Sequence, residues 1–284
     1  MDMQPNKVSV DTNGAVPDVD LVINCFERTY RKVLSAGFIQ RIVEENCFPF
    51  RNITLLLNNI DTPEKAREMA EDLLASQEIT QFFFVADHLD HALKVTGLSR
   101  KRLGKLPFYT DWALVALIVP GSDWIVHWDA DVHLEHPGNW ITPSTDLMNG
   151  NPAIATANPL WKNANTDREE RKRDGDFVLG YGFTDQVFLL RRSEFAQPIY
   201  HSWLPISLRY PVSHIGSYFE QWVDAYMRTQ RRLRATYLPI TFIHATEEGS
   251  SYPREWNVRV KSILRRVFVA IIRRLPFRHP YLSD

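Results

Sequence analysis

The sequence predicts an α/β fold in which a mixed, mostly parallel central sheet is flanked by helices, and three observations predict it. Short runs rich in β-branched and aromatic residues alternate with segments of helical periodicity. The runs are apolar throughout, which means burial on both faces. Acidic residues gather where the runs end, and in open α/β sheets ligands collect beyond the carboxyl ends of the strands.

The first strand is "DLVINCF", followed by a helix through "TYRKVLSAGFIQRIVEEN". "NITLLLNNI" predicts the second strand, running toward Asp61. "TPEKAREMAEDLLASQE" predicts a helix with Thr62 as N-cap and Pro63 in its first turn. "TQFFFVAD" predicts a third strand ending at Asp87, "YTDWALVALIVP" a helix, and "DWIVHWDAD" a strand that drives straight into Asp129 and Asp131. Past Asn139 the chain turns to loops and shorter strands, including "PAIATANPLW" and "FVLGYGFTDQVFLLRRSEF" around a charged connector. "GSYFEQWVDAYMRTQRRLR" then reads as a helix with Phe219, Trp222, Val223 and Tyr226 on one face, and "ATYLPITFIHA" as a strand ending at His244.

The final segment, "EWNVRVKSILRRVFVAIIRRLPFRHP", is a basic amphipathic helix in which Ile263, Leu264, Val267, Phe268 and Ile271 alternate with arginines. Its apolar face packs either on the rest of the chain or on an anionic lipid surface. The expected organisation is a loose tail over 1–18, a domain over 19–256 whose character changes between 19–131 and 132–256, and the basic helix with its tail over 257–284.

Composition narrows the function. With 284 residues, 44% hydrophobic and 24% charged, the chain can bury one large core. A net charge of -1 gives no reason to expect a nucleic-acid partner. Cys25 and Cys47 have no CxxC spacing, which argues against a disulfide scaffold or zinc ribbon and for a reduced, cytoplasmic setting. The N-terminus lacks the pattern of a signal peptide, and no run approaches the ~20 apolar residues of a membrane span. Neither a GxxxxGK[ST] loop nor GxGxxG after the first strand occurs, so a phosphate-handling device has to be a metal.

The D-x-D pair at 129 and 131 suits that role. Inside a core strand a carboxylate costs several kcal/mol unless paired, whereas at a strand's exit it can face a cleft. Two carboxylates there can share a hard divalent cation, which neutralises a diphosphate and improves it as a leaving group.

With "VINCFERTYRKVL", "ITLLLNNID", "HWDADVHL", "GYGFTDQVFLLRRSEF", "YFEQWVDAY" and "LPITFIHA" in this order, the chain resembles the GT-A nucleotide-sugar glycosyltransferases, closest to the large family 2 type. The resemblance covers about Asp20 to Trp256. It implies a Rossmann-like GT-A domain and a metal-dependent, inverting hexosyltransferase of polysaccharide biosynthesis, working in the cytoplasm or at the inner face of the membrane. The donor would be a nucleotide sugar, a uridine diphosphate one, and the acceptor a hydroxyl of a glycan or lipid-linked glycan.

By the same resemblance Phe26, Glu27, Arg28, Asp61 and Asp87 would hold the nucleotide. Asp129 would approach the ribose or a metal-bound water, and Asp131 would be the direct ligand of Mn2+ or Mg2+. His244 would be a second protein ligand, favouring manganese. Gly182 would let the backbone approach the donor sugar, and Arg254 would contact phosphate.

The family places Glu-Asp at the start of the acidic helix, with the Asp as catalytic base. This chain has Glu220 followed by Gln221. Glu220 is the nearest carboxylate, with Asp224 one turn on and Asp185 in "GFTDQ" as further candidates for the base. Gln221 also leaves open a nucleotide-sugar-binding protein with impaired catalysis. A third alternative is a metal-dependent hydrolase using the crowd of His127, Asp129, Asp131, His133 and His136, with "HLDH" at 88–91 adding two more imidazoles.

Overall fold

The computed structural model describes residues 16–164, 170–210 and 218–244, with residues 263, 264, 267, 268, 270 and 271 of a C-terminal helix. Strands β1 (Val19–Phe26), β2 (Ile53–Asn58), β3 (Gln81–Phe84) and β4 (Trp124–Asp129) form one half of a continuous sheet in the order β3-β2-β1-β4, all parallel. The order continues through β9 (Val187–Arg191), β6 (Ile154–Trp161), β10 (Leu233–His244), β8 (Phe177–Gly180) and β7 (Lys172–Asp174). In this second half only β6 and β10 run parallel, and the short β5 (Val132–Leu134) pairs antiparallel with β10.

Continuous apolarity of the strands has the cause inferred from the sequence. On β1, Leu21 and Ile23 face a core shared with helices α2 (Phe38–Asn46), α3 (Pro63–Ala75) and α6 (Ile141–Gly150). Val22 faces a second core with α4 (Val85–Thr96), α5 (Asp111–Ala116) and α8 (Phe219–Thr229). β1 is thus covered on both faces.

The amino edge of the sheet is closed by a buried ion pair. Asp20 on β1 meets Arg192 at 3.2 Å, at the start of the one-turn helix α7 (Arg192–Phe195). Its carboxylate also accepts from the Ser122 amide at 2.7 Å and the Asn52 amide side chain at 2.8 Å. A buried charge is tolerated here because every neighbour is a donor.

Two elements differ from the sequence reading. The helix expected through 29–46 is two helices, α1 (Tyr30–Val33) and α2, because Gly37 takes φ 78 and donates its amide to Glu78 Oε2 at 2.8 Å. The strand expected to reach Asp87 stops at Phe84, and α4 starts at once with Val85. Asp87 is therefore an exposed residue in the first turn of a helix, not the end of a strand.

His127 on β4 is fully buried and stacks against both Trp112 and Phe188, with ring centroids at 4.1 Å and 5.0 Å. Burial pushes its imidazole down to about 3. An unfolded chain takes up this proton near pH 6.5 while the fold refuses it, so stability is present above that pH and drains as pH falls toward about 3, by of order 3–5 kcal/mol. His127→Phe, which keeps the stacking, is expected to move the acid-unfolding midpoint to lower pH in a circular-dichroism titration; an unmoved midpoint would clear His127 of that role.

Candidate metal and donor site at the carboxyl edge

Because β1, β2 and β4 are parallel, their carboxyl ends open on one edge, with Phe26 beside Asn58 and Asn24 beside Asp129. Asp129 is the last residue of β4, and its amide donates to the Gln186 carbonyl at 2.8 Å. Its Oδ1 accepts from the Ala130 amide at 3.1 Å, and Trp128 Nε1 donates to the Val132 carbonyl at 3.2 Å, closing the turn that carries Asp131. The chain then enters β5, whose antiparallel ladder sets Val132 opposite His244 on β10.

That register brings His244 Nε2 to 3.1 Å from Asp131 Oδ2. One ligand atom from each of Asp129, Asp131 and His244 lies within 4.8 Å of the others, the only such group among the described residues. Asp131 Oδ1 is buried and has no hydrogen-bond partner. A buried carboxylate oxygen left in this way costs free energy that a cation would recover, and two carboxylates with an imidazole suit manganese. The residues fit a divalent ion.

Electrostatics around the cluster are strained by its like charges. Burial, then the charges of Asp131 and Asp185, hold the Asp129 carboxyl well above the usual carboxylate range, with His244 opposing. Asp185 is likewise raised by burial, its own backbone amide and His244 pulling the other way. The hydrogen bond with Asp131 holds the His244 imidazole above its ordinary value against burial.

Asp185 is also the nearest link to Glu220, in the first turn of α8. Burial and the Asp185 charge raise the Glu220 carboxyl well above its ordinary value; Arg209 and Arg234 oppose, and Asp224 adds to the rise. The two arginines converge on Gly182, where φ is 123 and a Cβ would lie 2.6 Å from Arg209 Nη2 and 3.3 Å from Arg234 Nη1. Gly182→Ala is expected to cost about 1–3 kcal/mol in chemical denaturation, from strain at positive φ and displacement of Arg209; a cost near zero would show that the loop yields freely.

The remaining candidates separate. Asp224 is fully buried, held by Arg228 at 2.8 Å and Arg209 at 3.6 Å, so it anchors α8 and does not face a substrate. Gln221 is buried too, and its Oε1 accepts from the Tyr218 amide at 3.3 Å, capping α8. In the β1 exit, Thr29 Oγ1 accepts from the Phe26 amide at 3.1 Å, and the Arg28 guanidinium lies 5.7 Å from the Phe26 ring. Glu27 Oε2 accepts from the Asp61 amide at 2.9 Å, tying the loops after β1 and β2 together, while the Asp61 side chain is exposed. Asp87 lies past β3, three strands from β4, or roughly 14 Å across the sheet. Arg254 and the loop after His244 lie outside the described residues. His127 faces the core and is not in the candidate metal group, which removes one imidazole from the hydrolase cluster.

Sequence reasoning missed a polar group on the same edge. Asp111, at the start of α5, accepts from Asn58 Nδ2 at 2.9 Å, Asn59 Nδ2 at 3.3 Å and the Trp112 amide at 2.7 Å. Burial pushes its carboxyl up to about 6 against those bonds. Nearby on β1, Asn24 Oδ1 is buried without a partner. The signal was present: an Asn inside "VINCF" and another closing "LLLNN" are carboxamides in otherwise apolar strands, and such groups require polar company.

No protein-family model matches the chain, and no curated protein matches it in sequence. Among solved structures, that of GalNAc-T7 with UDP, GalNAc and Mn2+ superposes with a TM-score of 0.53 at 11% identity, over 90% of this chain and 48% of that one. This chain thus spans about half the length of that protein. The mannosyltransferase PcManGT from Pyrobaculum calidifontis, in complex with GDP-Man and Mn2+, is a weaker match at TM-score 0.46 and 12% identity, over 94% of this chain and 68% of that one. The first likeness, with the strand order and the acidic turn after β4, establishes the architecture: this chain has the GT-A fold.

Proposed function

We propose that this protein is a metal-dependent, inverting glycosyltransferase that moves a sugar from a uridine diphosphate donor to a hydroxyl of a glycan or lipid-linked glycan. The observation that carries this reading is the unpartnered, buried Oδ1 of Asp131 beside Asp129 and His244, with a half-buried carboxylate, Glu220, that feels the charge of Asp185. The GalNAc-T7 structure holding UDP and Mn2+ supports the choice of nucleotide and ion.

Asp129, Asp131 and His244 would hold the ion at the diphosphate, and the ion when bound supplies charge neutralisation for the leaving group. Phe26, Glu27 and Arg28 after β1 and Asp61 after β2 would bound the nucleotide, with Asn24, Asn58 and Asp111 as the polar floor. Glu220 is the base: the acceptor oxygen attacks the anomeric carbon, its proton passes to Glu220, and the anomeric C–O bond breaks with its electron pair leaving on the diphosphate. One displacement inverts the anomeric centre.

A carboxylate whose proton affinity has been raised by burial and by the Asp185 charge suits that role, with Arg209 and Arg234 opposing the rise. Gln221 caps α8 through its Oε1, a structural role that does not call for impaired catalysis. The test is calorimetric titration of nucleotide sugars with and without manganese. The reading expects binding of a uridine diphosphate sugar only with the metal, and metal-independent binding, or none by any nucleotide, would refute it.

A further inference from the structure

We propose that the C-terminal segment carrying Ile263, Leu264, Val267, Phe268 and Ile271 is an interfacial anchor that seats this protein on an anionic lipid surface. Five of the ten large hydrophobic side chains exposed on the described residues fall within this stretch: Ile263, Leu264, Val267, Phe268 and Ile271, with exposures of 61%, 63%, 53%, 41% and 55%. Their spacing of one, four, five and eight residues from Ile263 puts them on a single face of a helix.

Charge selects the occupant. From Asn257 to Ser283 the sequence has seven Lys or Arg and no Asp or Glu, although the whole chain is at -1, so the remainder is net acidic while this segment is strongly net positive. A second copy would bring two such segments together against their mutual repulsion. An anionic bilayer takes up the apolar face and neutralises the cations at once. Arg265, Arg266, Arg273 and Arg274 leave no uncharged run of the ~20 apolar residues that a span needs, which suits a segment lying in the interface.

The proposal does not rest on the transferase reading, because vesicle binding needs neither donor nor metal. Full-length protein would be floated with phosphatidylcholine vesicles, alone and with about one-third phosphatidylglycerol, a fraction giving a negative surface potential. The expected result is binding to the anionic vesicles, weakened at least about tenfold by Val267→Glu with Phe268→Glu and again by Arg265→Glu with Arg266→Glu, with melting temperature unchanged. Equal binding to neutral vesicles, indifference to either pair of substitutions, or no vesicle binding would overturn it. A dimer in sedimentation that the Val267 and Phe268 changes dissolve, without vesicle binding, would give the face to a second copy.

Discussion

Asp131→Ala is expected to abolish manganese-dependent donor binding and to reduce sugar transfer by about 10³-fold or more. The size follows from the several kcal/mol that a bound cation contributes to charge at a departing diphosphate, at about 1.4 kcal/mol per decade. The substitution removes a ligand and the unpartnered oxygen together, so the metal-free protein should melt no lower than the parent. Loss of calorimetric heat with manganese and uridine diphosphate, at unchanged melting temperature, is the signature. Retained turnover in the variant would refute the metal-centred mechanism altogether.

Glu220→Gln is expected to separate chemistry from binding. Manganese and donor affinity should stay within about twofold while kcat falls by about 10²–10⁴, the usual contribution of a general base. Asp185→Asn is the control, since the half-buried Asp185 carboxylate acts electrostatically on both Asp129 and Glu220. A larger loss of kcat in Asp185→Asn than in Glu220→Gln would transfer the base to Asp185. Asp224→Asn belongs to another class: it leaves Arg228 buried beside a neutral group, and a destabilisation of about 3–5 kcal/mol in denaturant is expected.

The acidic turn after β4 was legible in the sequence because an apolar strand running into two carboxylates has few other solutions. His244 was legible as a strand end, but its distance from Asp131 was not, since that depends on the β5–β10 register across more than a hundred residues. Asp87 was misread because "FFFVAD" is apolar and β-forming across a boundary that no Gly, Pro or polar cap marks. Asp224 and Gln221 could not be assigned from residue type: one finds two guanidiniums, the other a helix end, and both facts belong to packing. Asn24, Asn58 and Asp111 were hidden for the opposite reason, being spread over three elements that only the sheet brings together.

β10 holds a consequence for how the site comes into being. This strand bonds to β6, β8 and β5 and delivers His244 at its far end, so the third metal ligand arrives only after three ladders, two of them antiparallel, have zipped in register. Long-range pairings of this kind carry a loop-closure cost before they return any stabilisation, and they form slowly. The two aspartates come from one turn, whereas the imidazole reports on assembly of the far half of the sheet. Metal competence is then a property of the completed fold, and in a refolding experiment manganese protection should appear in the slowest phase, after most helical signal has returned.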